Sequence, residues 1–285
     1  MLAILLALAA ALGYGGSDFA AGLASRSAGI IQVTLIASVV SLLPVAAALP
    51  FAAGHPPSAT ALAWGAGGGL AGTAGALALY LGFRQAAFSV AGPLSAVGAA
   101  GFSVLAGLLL GERPTALALT GIVLALPAIL GVSASAVRTG SGARGRPGRG
   151  VLAGLAAGAG FALLFIGLDR AGSGSGLWPV AAAQLAEFAG VLVMAGVTGN
   201  VRRPAARASW LAVLTGATGA AGTLLYFFAT HTGFLAVTAV LTSLYPAVTI
   251  VLARTLAGER LTGLRLAGLS LAVACVTLIA VGGAG

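Results

Sequence analysis

The sequence predicts an all-α integral membrane protein with ten transmembrane helices in two inverted five-helix repeats. Three observations predict it. Of 285 residues, 59% are hydrophobic and 7% charged, and the mean hydropathy is +1.09. A soluble domain carries about 25% charged residues, so a water-facing surface cannot be covered here. A disordered chain is excluded by the same apolar excess. The second observation is a succession of long apolar stretches, and the third is an internal repeat.

Reading apolar stretches between Arg, Pro and Gly clusters places spans at 2–21, 31–51, 61–83, 91–110, 116–136, 151–168, 178–198, 210–230, 236–256 and 264–282. A spanning helix needs about 20 apolar residues. Only helices satisfy their own backbone groups over that length in lipid. Trp64, Trp178 and Trp210 each fall at the start of a span, where indole rings favour the headgroup boundary. The first span has no Arg or Lys before Arg26, unlike the basic start of a signal peptide, and is expected to be retained.

A shift of 147 residues lays Gly111-Glu112-Arg113-Pro114-Thr115 on Gly258-Glu259-Arg260-Leu261-Thr262, with ten of seventeen positions identical between 109–125 and 256–272. It also pairs Gly13-Tyr14 with Gly160-Phe161, and Gly72 and Gly75 with Gly219 and Gly222. The expected organisation is a first repeat over 1–136, a basic Gly/Arg linker over 137–150 and a second repeat over 151–285. Five spans is an odd number, so the repeats enter the membrane with opposite orientation. In carriers built this way the substrate site lies near the midplane, between the repeats.

All fourteen basic residues are Arg. Twelve fall on the side of the loops that follow odd-numbered spans, and only Arg113 and Arg170 on the other. The excess predicts a cytoplasmic linker, termini outside, and a place in the cytoplasmic membrane. A pI near 11.5 can mark a nucleic-acid binder, but no soluble module carries a basic face, so no nucleic-acid partner is expected. The linker spells Gly140-x-Gly142-x-x-Gly145, yet no strand precedes it and a membrane span follows, so it is read as a hinge. Without lysine there is no phosphate-binding Walker motif. Cys275, His55 and His231 offer no disulfide, no metal-ligand spacing and no catalytic grouping. No cofactor, metal or enzymatic activity is therefore expected.

The candidate functional residues are the few polar ones inside spans. Glu187 lies near the centre of the seventh span, where an ionised acid costs about 3 kcal/mol on insertion scales and usually marks an ion or proton pathway. Gln184 is three residues earlier on the same helical face. Asp18, late in the first span, is the second proton-coupling candidate. In the ninth span Thr238, Thr242, Tyr245 and Thr249 fall at i, i+4, i+7 and i+11, one polar stripe that could line a cavity, and Pro246 interrupts the helix beside Tyr245. Ser95 is the repeat counterpart of Thr242. The alternative for these hydroxyls is bonding back to helix carbonyls. Glu112 and Glu259, with the adjacent Arg113 and Arg170's neighbour Asp169 following the same logic, are read as structural: a carboxylate ahead of a span favours a helix N-terminus, and Arg113 and Arg260 can pair with it. Tyr80 and Tyr226 are expected in the interfacial belt. Gly65/Gly69, Gly68/Gly72, Gly107/Gly111 and Gly150/Gly154/Gly158 offer small faces for close helix packing.

Ten spans in two repeats, the repeated Gly-Glu-Arg-x-Thr turn and Gly16-Ser17-Asp18-Phe19 resemble the EamA branch of the drug/metabolite transporter superfamily. The resemblance covers essentially the whole chain. It implies a secondary carrier of small metabolites, often an exporter of amino acids or related compounds, with a central cavity between the halves. Family members are described with cytoplasmic termini, opposite to the arginine count of this chain. The expected function is alternating-access transport of a small neutral or zwitterionic metabolite in the bilayer. No mid-span Arg offers a clamp for a phosphate or other strong anion, and proton coupling is expected through Glu187. The rival reading is a pore- or receptor-like multi-pass protein that does not transport.

Overall fold

A computed structural model describes residues 1–52, 56–85, 88–133, 147–199, 205–258 and 262–282. Among them the secondary structure is helical throughout: α1 (Leu2–Ala24), α2 (Ile30–Ala52), α3 (Ala59–Gln85), α4 (Phe88–Leu109), α5 (Ala116–Ser133), α6 (Pro147–Arg170), α7 (Trp178–Thr198), α8 (Ala206–Thr230), α9 (Leu235–Thr242), α10 (Tyr245–Leu256) and α11 (Gly263–Gly282). Eight segments are long and apolar enough to cross a membrane, Leu235–Leu256 counting as one, and Pro93–Leu109 and Ala116–Val132 are shorter apolar helices. The chain is a ten-rod, multi-pass membrane protein.

Two expectations are corrected. The ninth span is two helices, α9 and α10, separated by Ser243 and Leu244. Pro246 has no N–H to return to the Thr242 carbonyl, and it sits in the first turn of α10, where that loss is harmless. The sixth span starts earlier than expected. α6 takes in residues 147–150 of the presumed hinge, beginning at Pro147, whose fixed φ suits a first helical position. The linker's remaining residues up to 146, including the Gly140-Gly142-Gly145 spelling, lie outside the described residues, as do His55, Glu259 and Arg260.

Helix packing follows the 147-residue shift. The two most extensive interfaces are α3 with α6 and α1 with α8, and the shift exchanges one for the other. The pairs α3 with α7 and α2 with α8 exchange likewise, as do α4 with α6 and α1 with α9 and α10. Every one of these interfaces joins the first half of the chain to the second.

Glycines decide how closely the rods approach. A Cβ on Gly13 would lie 2.7 Å from the Gly222 nitrogen and 2.8 Å from its Cα. At the image position, a Cβ on Gly160 would lie 2.6 Å from the Gly75 Cα and 2.5 Å from the Ala71 oxygen. No side chain fits at either crossing, so backbone meets backbone, the arrangement that drives helix association in lipid. Gly65 and Gly69 do the same for α3, abutting the carbonyls of Pro179 and Ala183 on α7.

The two ends of the bundle differ. At the end of the termini, side chains join separate loops: the Ser58 amide donates to the Ser175 hydroxyl at 3.0 Å, and the Thr115 hydroxyl donates to the Gly282 carbonyl at 2.9 Å. The broken span records the same difference. All of α9 except Val237 is buried, whereas no residue of α10 is. α9 lies inside the bundle, whereas α10 is partly exposed along its length.

Gly13→Ala and Gly160→Ala should each destabilise the detergent-purified protein by about 1–3 kcal/mol, the usual cost of overpacking. Gly16→Ala should be near neutral, because its Cβ would meet nothing closer than 3.7 Å. Thermal unfolding of the three variants checks this; equal melting temperatures would remove the backbone contacts as the organising element.

Candidate functional site

Tyr14 and Tyr245 form a polar aromatic group in the membrane interior, around α1 and α10. Tyr14 is set between two neighbours by the glycines around it. Gly13 lets α8 approach, and a Cβ on Gly15 would collide with Val248 and with the Tyr245 carbonyl at 2.8 Å. The Thr249 hydroxyl fastens α10 to α1 by donating to the Gly15 carbonyl at 3.2 Å. These contacts place the Tyr14 and Tyr245 rings edge to face, 6.5 Å apart at 67°. Tyr14 shares a 3.0 Å hydrogen bond with Thr223 of α8. Its ring also lies 6.3 Å from Phe165 of α6, which stacks on Tyr226 of α8 at 4.3 Å. Such aromatic pairs contribute about 0.5–1.5 kcal/mol beyond area burial.

Two carboxylates flank this aromatic group. Glu187 is the charged neighbour of Tyr14, and Asp18 that of Tyr245. Both are densely surrounded by protein, yet Asp18 is exposed and Glu187 partly so. Each lies among the protein atoms of the bundle while keeping some accessible surface. Tyr14 and Tyr245 share this combination, and Ser95 of α4 is within hydrogen-bonding reach of Tyr245. Among the described residues neither Asp18 nor Glu187 has a hydrogen bond or an ion pair.

The remaining predicted residues are packed away from this aromatic group. Thr238 and Thr242 are fully buried; the Thr238 hydroxyl donates to the Phe234 carbonyl at 3.0 Å and that of Thr242 to the Ala7 carbonyl at 3.4 Å. The stripe predicted for a continuous helix is therefore split: the threonines of α9 bond to backbone, and Tyr245, at the start of α10, faces the aromatic group. Gln184 is 2% exposed, with its Oε1 unpartnered, and makes no bond to Glu187. Tyr226, expected in the interfacial belt, is fully buried beneath Phe165. The Tyr80 side chain lies outside the described residues.

Glu112 does meet a helix N-terminus, but not the one that follows it. Its carboxylate accepts the amides of Leu235 and of Ala236, the latter at 2.9 Å, capping α9 across the bundle rather than α5. Burial raises its pKa, opposed by these two bonds, and Asp169 adds to the rise. The turn that delivers it uses Gly111 at φ +95°, which favours glycine, and Gly107 leaves room beside the carboxylate. Arg113 is exposed and forms no ion pair with Glu112. Asp169, expected beside Arg170, instead accepts the Thr230 hydroxyl at 2.6 Å, joining the ends of α6 and α8. Both acids therefore join helix ends on the side of the termini.

Sequence reasoning passed over Tyr14 and Phe165 as site residues. The available signal was the run Gly13-Tyr14-Gly15-Gly16, a polar aromatic with glycine on both sides. Phe165 had no such signal, since a phenylalanine in an apolar span looks like any core residue.

Glu112→Ala leaves two amides of α9 without an acceptor and should cost about 1–3 kcal/mol. Glu112→Gln, which keeps one carbonyl oxygen, should lose less. Thermal melts check the order, and a melt of Glu112→Ala equal to wild type would contradict the capping role.

Residues 1–134 match the model of the EamA-like transporter family. A solved crystal structure of another protein shares the fold with a TM-score of 0.79 at 19% identity, covering 98% of this chain and 96% of its own. No curated protein sequence matches the chain. The first repeat of this chain is therefore similar to the EamA-like transporter family, and the ten-rod bundle is a fold shared with a known structure.

Proposed function

We propose that this protein is a secondary carrier that moves a small solute by alternating access, with the cleft beside Tyr14, Asp18, Glu187 and Tyr245 as the transport site. The observation that carries this reading is a pair of carboxylates, Asp18 and Glu187, without a hydrogen bond or ion pair among the described residues and set inside the spanning bundle near Tyr245 and Tyr14, with α9 buried and α10 partly exposed. A carrier needs a site reached from one side at a time. The exchanged interfaces between the halves supply a second arrangement of similar energy, because each contact has an image that can tighten as the first loosens. The repeats are taken as 1–136 and 151–285, joined by 137–150.

The solute is a small neutral or zwitterionic metabolite such as an amino acid, and the expected direction is export. Among the described residues, arginine side chains occur only in loops and at helix ends, so no clamp for an anion faces the cleft. Glu187 is the coupling group, aided by Asp18: an unpaired carboxylate in the membrane interior is costly when ionised, so taking up and releasing a proton is its cheapest response to a change of access. The arginine excess puts the α10 end in the cytoplasm and the termini outside the cytoplasmic membrane. A pore of the same shape would pass solute without saturable counterflow.

In proteoliposomes, solute flux should saturate and show counterflow. Glu187→Gln should remove at least nine-tenths of pH-gradient-driven flux while leaving counterflow measurable; full gradient-driven flux in that variant would end the coupling assignment. In a Cys275→Ser background, Asp18→Cys should react with a membrane-impermeant maleimide from the arginine-rich side and from that side only. Labelling from the side of the termini would reverse the assignment of the two ends.

A further inference from the structure

We propose that α9 is the gate on the side of the termini and that Glu112 is the positioning residue that latches it, acting through α9 and not on the solute. This deepens the carrier reading and rests on it.

α9 is built to move as a unit. It has eight residues, Leu235–Thr242, about 12 Å of helix at 1.5 Å per residue. Non-helical residues bound it on both sides, 231–234 towards α8, and Ser243 and Leu244 towards α10. Pro246 has no N–H for the Thr242 carbonyl, so the backbone ladder is interrupted between the two pieces. A change of dihedral angles at a few such residues turns one rod without unwinding its neighbour.

Its packing shows what it covers. Leu235 and Ala239 pack with Ala10, Phe165 and Tyr226, and Ala236, Val240 and Leu241 pack with Ile4 and Ala7. α9 runs from the end of the termini down to Tyr245, with a core cluster on each flank. Apolar contacts inside lipid give little preference for one rod over another apolar surface, so directional contacts decide where α9 rests.

Those contacts converge on Glu112. Its carboxylate oxygens accept the Leu235 and Ala236 amides, two donors that a first helical turn leaves unpaired, and a negative charge is favoured at that end of the helix dipole. Among the described residues these are the shortest polar ties between α9 and another rod. The Thr238 hydroxyl bonds within α9, and that of Thr242 reaches the Ala7 carbonyl at 3.4 Å. The latch also crosses the repeat, from the turn between α4 and α5 to a rod of the second half. A Cβ on Gly107 would lie 3.1 Å from the Ala236 nitrogen, so glycine on α4 makes room for the meeting. Release strands no buried charge. Glu112 is partly accessible, and the neighbouring Arg113 is exposed and not paired with it, so water and that guanidinium can receive the carboxylate once α9 leaves.

The test uses the full-length protein with its single cysteine replaced, Cys275→Ser. Thr238→Cys puts a fully buried reporter on α9, and Ala212→Cys a fully buried control on α8, in the separate cluster of Ala24 and Val33. Glu112→Gln leaves one acceptor for two amides. It should speed reaction of the Thr238→Cys reporter with a soluble maleimide about tenfold, the population change that one hydrogen bond to a charged group allows, and leave the Ala212→Cys control within about twofold. Unchanged labelling of the reporter would overturn the latch, and equal acceleration at both cysteines would replace it with general loosening. In a second pair, Arg113→Cys and Phe234→Cys, both at exposed positions beside the latch, a reducible thiol cross-linker should stop proteoliposome counterflow of a radiolabelled mixture of common amino acids. Reductant should restore it. Undiminished counterflow in the cross-linked protein would overturn the gate and leave the carrier. Faster reporter labelling in Glu112→Gln, with no counterflow before cross-linking, would keep the gate and remove the carrier.

Discussion

The approach of backbone to backbone at two glycine crossings is the constraint on which the remaining structure depends. In lipid the hydrophobic effect does not drive one helix against another, because acyl chains are as apolar as leucine, so association rests on close van der Waals contact. Gly13 against Gly222 and Gly160 against Gly75 provide that contact twice, through the image relation of the repeat. Each crossing joins a helix of the first half to one of the second. The halves are thus held by one another, with a shared seam, and the polar interior lies along it. Tyr14 follows Gly13 directly, so the crossing that holds α1 to α8 also sets the position of the ring at the centre of the aromatic group.

The break in the ninth rod gives the seam its two ends. A continuous helix from Leu235 to Leu256 would bury or expose one face along its whole length. Pro246 divides it, and the two pieces take different surroundings: α9 buried, α10 not. The buried piece is fastened by Glu112 and flanked by the bond from Thr230 to Asp169, both made through carboxylates outside the apolar interior. The four described acids therefore divide by environment. Glu112 and Asp169 have donors and hold helix ends together. Asp18 and Glu187 have none and face accessible space. Chemical identity is the same; the presence of a donor separates a structural acid from one available for a ligand or a proton.

The split between Thr238 and Thr242 on one side and Tyr245 on the other illustrates the same point. All three lie within one apolar stretch at helical spacing, and on a continuous helix they would share a face. Hydroxyls that find a carbonyl one turn back or on a neighbouring helix are satisfied locally and can be buried. Tyr245 is too long to bond back to its own helix, so its hydroxyl reaches across to Ser95 and its ring meets Tyr14.

By itself the sequence determined the properties that depend on composition and period: helices throughout, ten apolar rods, the retained image relation between Gly111-Glu112-Arg113 and Gly258-Glu259-Arg260, and the unusual cost of Glu187 and Asp18. These follow because lipid allows a long apolar stretch only one economical backbone, and because a lone acid in such a stretch is expensive wherever its neighbours lie. What the tertiary structure alone decided is which groups meet. Nothing local says that Glu112 caps α9 instead of α5, that Thr242 spends its hydroxyl on Ala7, or that Phe165 stands behind Tyr14. Those contacts join residues more than a hundred positions apart, and their partners are chosen by the distance at which two glycine-lined helices come to rest, a quantity with no signature in the order of residues along one rod.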